Sequence, residues 1–174
     1  MMMAKKATHY ITEEEKLHSA NNEVMENVDE MTSYYRENPH HFAADYLNLK
    51  LKVFQQILIC MMNLSNYFMF LACRGLGKTF LVAVFCCVRC LLYPGTFIAI
   101  ASGNRKQAAG IIEKIINILM PLSTNLCAEI ESYSTAQDKA YLKFYNTSVI
   151  QVVTSRDSAR GARANILVNY CLVV

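Results

Sequence analysis

The chain has 174 residues, 53% of them apolar and 18% charged, enough for one domain with a sizeable core. Its formal net charge of +3 is only mildly basic and by itself neither demands nor excludes a nucleic-acid partner. Seven cysteines, an odd number without regular spacing, argue against a disulfide framework and for reduced thiols in a cytosolic protein.

In chain order, residues 1–48 are polar and charged and read as a helical N-terminal arm. Thr12-Glu13-Glu14-Glu15 has the form of a helix start, in which a hydroxyl caps and acids meet the dipole. A second helix is expected over Asp29–Asn38, ended by Pro39, and a third, short one over Phe42–Leu47. Lys5 and Lys6 are followed by acids rather than an apolar core, so no secretory signal is expected.

From residue 49 to 174 the pattern alternates between helix and strand. Val53–Met62 reads as a helix, Tyr67–Ala72 as a buried strand, Lys78–Tyr93 as a helix, Pro94-Gly95 as a turn and Phe97–Ala101 as a second strand. Polar residues at Gln55, Gln56, Asn63, Ser65 and Asn66 interrupt the first apolar stretch, and Arg89 with Pro94-Gly95 breaks the next, so no membrane span is expected. An amphipathic helix follows over Asn104–Met120, closed by Pro121, with Ala108, Ile111, Ile112, Ile115, Ile116 and Leu119 at helical spacing. Ala140–Tyr145 and Val149–Thr154 read as a hairpin around Asn146-Thr147, and Ile166–Val168 as a last strand. Strands alternating with helices predict an α/β fold with a mainly parallel sheet in a three-layer sandwich. Cys87 and Cys90 have C-x-x-C spacing inside an apolar helix. The nearest histidines, His40 and His41, lie far upstream, so buried thiols are expected there rather than zinc.

The densest chemical signal is Ala72-Cys73-Arg74-Gly75-Leu76-Gly77-Lys78-Thr79, a phosphate-binding loop with Ala72 where the consensus has glycine. Gly75 and Gly77 permit a tight turn whose N–H groups face phosphate oxygens. The helix opening at Lys78 aims unpaired N–H groups and the positive end of its dipole at the same anion. Lys78 is expected to reach the β- and γ-phosphates, and the Thr79 hydroxyl to hold a magnesium ion that bridges them. The ligand this predicts is ATP as its Mg2+ complex.

Five landmarks resemble the large subunit of tailed-phage terminases: Phe54-Gln55; the loop Cys73–Thr79; Tyr93-Pro94-Gly95-Thr96; Ile98–Gly103 with Gln107-Ala108; and Ala159–Asn165. They occur in the family's order over nearly the whole chain. That family is an ATP-driven motor that packages double-stranded DNA into procapsids, with an ATPase domain followed by a nuclease. The chain is similar to the first part only, a P-loop NTPase-type domain incomplete at its C-terminus. The resemblance implies that Gln55 reads the adenine and that Arg74 neutralises charge on the transferred phosphoryl group, making Arg74 and Lys78 the catalytic residues. Cys73, Arg74, Gly75, Leu76, Gly77, Lys78 and Thr79 would cradle the nucleotide. Ser102, Gly103 and Gln107 would couple nucleotide state to DNA, and Arg156, Arg160 and Arg163 would touch DNA phosphates or a neighbouring subunit. Implied partners are double-stranded DNA, the terminase small subunit, the portal protein and further copies of the chain in the motor, in the cytoplasm of a bacterial host.

The family's next motif is an apolar strand ending in Asp-Glu, where the acids hold magnesium and activate water. Here Ile166-Leu167-Val168 runs into Asn169-Tyr170-Cys171, and no nuclease acids follow. A truncated or frameshifted product, or a split protein completed elsewhere, accounts for this, with ATP bound but hydrolysed very slowly. An apolar sheet lacking its next strands would be open to association. Two further readings remain: a helicase-like nucleic-acid ATPase, and a non-catalytic nucleotide-binding assembly module, which the missing acids favour.

Overall fold

The computed structural model describes residues 25, 27–73, 75–102, 105–136, 139–154 and 164–169. The expected helix start at Thr12, Arg74, Gly103, and the basic cluster of Arg156, Arg160 and Arg163 lie outside the described residues, as do Tyr170 and Cys171. The chain divides into two units, Met1–Tyr34 and Tyr35–Val174.

In the first unit residues 27–34 are helical (α1). Thr32 Oγ1 donates to the Val28 carbonyl at 2.8 Å, a bond to the preceding turn that lets a β-branched residue sit inside a helix.

In the second unit residues 35–37 are helical, and α2 (Pro39–Asp45) follows. The helix expected over Asp29–Asn38 stops at residue 37, before Pro39, as the sequence reading has it, and the proline also opens α2. In the first turn its missing N–H has no intrahelical acceptor to lose and its fixed φ is already helical. Phe42, Ala43 and Leu47 are buried in the main core.

Helix α3 (Val53–Leu64) and helix α4 (Lys78–Leu92) flank the segment that the sequence casts as a strand. Tyr67–Ala72 is not a strand in the structure: residues 68–73 carry no regular structure. The apolar run has strand propensity but pairs with no strand among the described residues, and without a ladder the pattern does not become sheet.

Beyond the Pro94-Gly95 turn come β1 (Phe97–Ser102) and α5 (Arg105–Lys114). A π-helical turn (Ile115–Leu119) then leads into the short helices α6 (Met120–Leu122) and α7 (Thr124–Glu129). The helix expected to close at Pro121 therefore runs one residue past it, because a proline in the first turn of α6 again costs no hydrogen bond. Strands β2 (Ile130–Ser134), β3 (Tyr141–Phe144), β4 (Val149–Thr154) and β5 (Ile166–Asn169) complete the described elements.

The sheet has five strands in the order β2-β3-β4-β1-β5. β1 is parallel to both β4 and β5, with Ile100 opposite Val152 and Val168. β3 is antiparallel to both β2 and β4. The fold is α/β, but the sheet is mixed rather than mainly parallel. A tight reversal around Asn146-Thr147 makes β3 and β4 antiparallel neighbours, which need only a short turn, and β2 lies antiparallel to β3.

Helices α4 and α5 pack on the sheet against β1 and β4. Ile98, Ile100, Leu142 and Ile150 from the strands meet Leu81, Val84 and Val88 from α4 and Ile111, Ile112 and Ile115 from α5, all buried. Cys86, Cys87 and Cys90 are buried free thiols within this layer. Burial pushes Cys86 up to about 12 and raises Cys87 and Cys90 as well, with the neighbouring thiols adding to both. They are inert apolar filling rather than ligands.

The far end of α4 is tied to the start of the sheet. Ser148 Oγ donates to the Cys90 carbonyl at 3.0 Å and accepts the Thr96 N–H at 3.1 Å, while Asn146 Nδ2 donates to the same Cys90 carbonyl at 2.8 Å. Gly95, at φ +73, makes the turn between them and donates its N–H to the Asn146 carbonyl at 3.1 Å.

Candidate nucleotide-binding site

The phosphate-loop sequence lies between the irregular segment 68–73 and α4, which begins at Lys78. Gly75 has φ +91 and Gly77 φ +74, so both occupy the left-handed region that a Cβ penalises. A Cβ built at Gly75 meets nothing within 4 Å, leaving open space on that side of the loop.

Gly77 is the N-cap of α4 and offers no side-chain hydrogen bond to the helix, and the first turn contains no acid. The first intrahelical bond runs from Leu81 N–H to the Gly77 carbonyl at 2.9 Å. The N–H groups before it have no intrahelical acceptor, and with the dipole of a 15-residue helix behind them they suit an anion.

Lys78 is half-buried and donates through Nζ to the Ala72 carbonyl, closing the loop on itself. Thr79 follows in the first turn, also half-buried. Cys73 and Leu76 are exposed on the loop, with the Leu76 N–H directed at the Cys73 carbonyl at 3.5 Å.

Gln55 comes from α3, 22 positions upstream of Gly77 in sequence, yet its Nε2 lies 3.8 Å from the position of a Cβ on Gly77. Its Oε1 accepts the Lys52 N–H at 2.9 Å, which fixes the amide and leaves Nε2 on the loop side. The neighbouring Gln56 is used differently, donating to the Leu51 carbonyl at 3.1 Å. The structure thus gathers Gln55, Cys73, Gly75, Leu76, Gly77, Lys78 and Thr79 in one neighbourhood.

Ser102 and Gln107 sit at the carboxyl end of β1 and the start of α5, with Ser102 Oγ 3.4 Å from Gln107 Oε1. Asn66 and Asn169, to which the sequence reading gives no binding role, line a cavity of about 210 Å³ together with Lys78. Asn169 ends β5, directly before positions 170 and 171, where the resemblance leads one to expect acids. The available signal was its place at the carboxyl end of a parallel strand.

Among the described residues no group of three His, Cys, Asp or Glu side chains is placed to hold a metal. Nor is any helix there long and apolar enough to cross a membrane. No protein-family model matches the chain, and no curated protein matches it either.

Proposed function

We propose that the chain binds magnesium-ATP through the Gly75–Thr79 loop and is the ATP-binding segment of a phage terminase large subunit. Its work would be part of driving double-stranded DNA into procapsids in the bacterial cytoplasm, with the small subunit and portal as partners. One observation carries the nucleotide reading: two positive-φ glycines deliver Lys78 to the first turn of a long helix that has neither a side-chain cap nor an acid there. Such a terminus suits phosphate oxygens and disfavours most other contents.

The side chains have separable tasks. Gly75 and Gly77 open the loop, the N–H groups of the first turn and Lys78 Nζ hold the β- and γ-phosphates, and Thr79 supplies a hydroxyl to magnesium. To do so, Lys78 exchanges the Ala72 carbonyl for phosphate. Gln55 donates Nε2 to a ring nitrogen of the base while Lys52 holds its other end. When bound, the metal supplies charge neutralisation across the phosphates. With Asn169 at the end of β5 and Tyr170-Cys171 after it, no acid stands there to activate water, so turnover is expected to be very slow.

The test is ATP binding in magnesium by wild type, Lys78→Ala and Gln55→Ala. Lys78→Ala should weaken ATP at least about tenfold, the loss of one charge-assisted hydrogen bond. Gln55→Ala should weaken ATP about fivefold and leave inorganic triphosphate unchanged, since only the base contact is removed. No ATP binding by the wild type would end the proposal.

A further inference from the structure

The described thiols differ in their surroundings. Cys86, Cys87 and Cys90 are buried in α4, Cys73 and Cys127 are exposed, and Cys60 on α3 is half-buried. Cys60 also faces an imidazole. Its Sγ lies 2.9 Å from Nδ1 of His40, which comes from α2, 20 positions upstream. That separation is within the reach of a nucleophile and its base, about 2.6–3.2 Å.

The two helices that carry the pair pack on each other. The His41 ring lies against that of His40, with centroids 4.2 Å apart and planes tilted by 38°, which restricts rotation of the imidazole. On the same face of α3, three residues beyond Cys60, Asn63 Nδ2 donates to the Arg36 carbonyl at 2.8 Å and Asn63 Oδ1 accepts from Arg89 Nη1 at 2.7 Å. The helix bearing the thiol is thus pinned both to the chain just ahead of α2 and to α4. Burial lowers the pKa of His40 and the neighbouring His41 lowers it further, so the imidazole is neutral near pH 7. With its own proton on Nε2, it accepts the Cys60 S–H at Nδ1. Burial raises the pKa of Cys60, against the opposing effect of the bond to His40, so the thiol keeps its proton at rest. The pair is a thiol beside a free base, not a standing thiolate.

We propose that Cys60 is a site of reversible S-thiolation, with His40 as its general base and a low-molecular-weight disulfide, RS–SR, as the co-substrate. Cys60 Sγ attacks one sulfur of the disulfide, and its proton passes to His40 Nδ1 as the new S–S bond forms and the old one breaks. The leaving thiolate takes that proton and departs as RSH. Cys60 is oxidised to the mixed disulfide and the departing half of the reagent is reduced. A disulfide suits this pair because its leaving group takes back the proton that the imidazole received. An incoming thiol reverses the step. The exchange draws on neither the phosphate loop nor its nucleotide.

The probe is bis(hydroxyethyl) disulfide, added to the reduced full chain at neutral pH, with modification followed thiol by thiol by peptide mass mapping. Cys60 should react at least about tenfold faster than the more exposed Cys127, and the difference should vanish in urea, where His40 no longer stands beside it. His40→Asn keeps a hydrogen-bonding group at that position but cannot take the proton. It should slow Cys60 at least about tenfold and leave the rate at Cys127 unchanged. Continued protection of Cys86, Cys87 and Cys90 in the same maps shows that the variant is folded. Where those thiols react as well, the wild-type comparison of native chain with urea decides alone. Equal rates at Cys60 and Cys127 in the native wild type, or a folded His40→Asn chain with an unchanged rate at Cys60, overturns the proposal.

Discussion

Two glycines set up a comparison in which the same substitution should move stability in opposite directions. Gly77 sits at φ +74 before α4, and a Cβ there would lie 3.8 Å from Gln55 Nε2, an ordinary contact, so no clash contributes. What remains is the cost of holding an L-residue in the left-handed region, about 1–2 kcal/mol. Gly110 lies inside α5, where an added Cβ meets nothing within 4 Å. Alanine at that position recovers the helix-interior penalty of glycine, about 0.5–1 kcal/mol. Gly77→Ala should therefore lower the urea midpoint by roughly 0.5–1 M and Gly110→Ala should raise it by about half as much, taking a slope of about 2 kcal/mol/M. Gly77→Asn should fall between wild type and Gly77→Ala, because asparagine tolerates the left-handed region better than alanine. Urea melts of the four proteins at one pH decide it. Shifts of the same sign at both positions, or an asparagine variant as unstable as the alanine one, would refute the loop conformation on which the nucleotide proposal stands.

Ser148→Ala should cost about 1–3 kcal/mol, since it strips the Thr96 N–H of its buried acceptor; thermal melts read the loss, and a neutral result would mean water takes the hydroxyl's place. Leu142→Ala, at a fully buried strand position, should cost about 2–5 kcal/mol, whereas Leu167→Ala on the 60% exposed edge should stay within about 0.5 kcal/mol; equal effects would contradict the assigned core. Alkaline pH should destabilise the chain. Cys86 keeps its proton to about 12 and Cys87 and Cys90 are raised too, while unfolded thiols ionise near their ordinary value. Above pH ~9 the native state then binds more protons, and stability falls by up to about 1.4 kcal/mol per pH unit per thiol. Urea midpoints in reducing buffer that stay level from pH 8 to 10.5 would contradict this.

Much of the fold was legible because its signals are local. The apolar face of α5, the hairpin around Asn146-Thr147 and the Pro94-Gly95 turn each depend on residues within a few positions of one another. The failures share a non-local cause. Tyr67–Ala72 has the composition of a strand, but strand formation needs a neighbour, and composition does not report one. Pro121 read as a stop where the helical run goes one residue past it, because a proline's effect depends on whether it falls in a helix's first turn or its interior, and element boundaries are what a sequence states least well. β2 went unseen. Its alternating Ile130-Glu131-Ser132-Tyr133-Ser134 is short and polar, and it becomes a strand by pairing with β3. In the site, the loop and Lys78 were legible from spacing alone. The sharing of one cavity by Asn169 and Lys78 was not, since it joins residues from separate elements; the fixing of the Gln55 amide is local, the N3 glutamine of α3 reaching back to the N-cap backbone, and went unread.

The π turn at Ile115–Leu119 has a consequence for length variation. Its i→i+5 bonding accommodates more chain per turn than the α-helix around it, so the segment holds slack amounting to about one residue. Ile115 at its start and Leu119 at its end both still face the core, so the excess is absorbed locally instead of being passed along as a rotation of everything downstream. A deletion at the exposed Asn117 would let the helix relax into uninterrupted α geometry with its apolar stripe intact. An inserted residue would find no such reserve and would turn the following stretch by about 100°. This stretch of the chain is therefore tolerant of shortening and intolerant of lengthening, the opposite of what a surface loop allows.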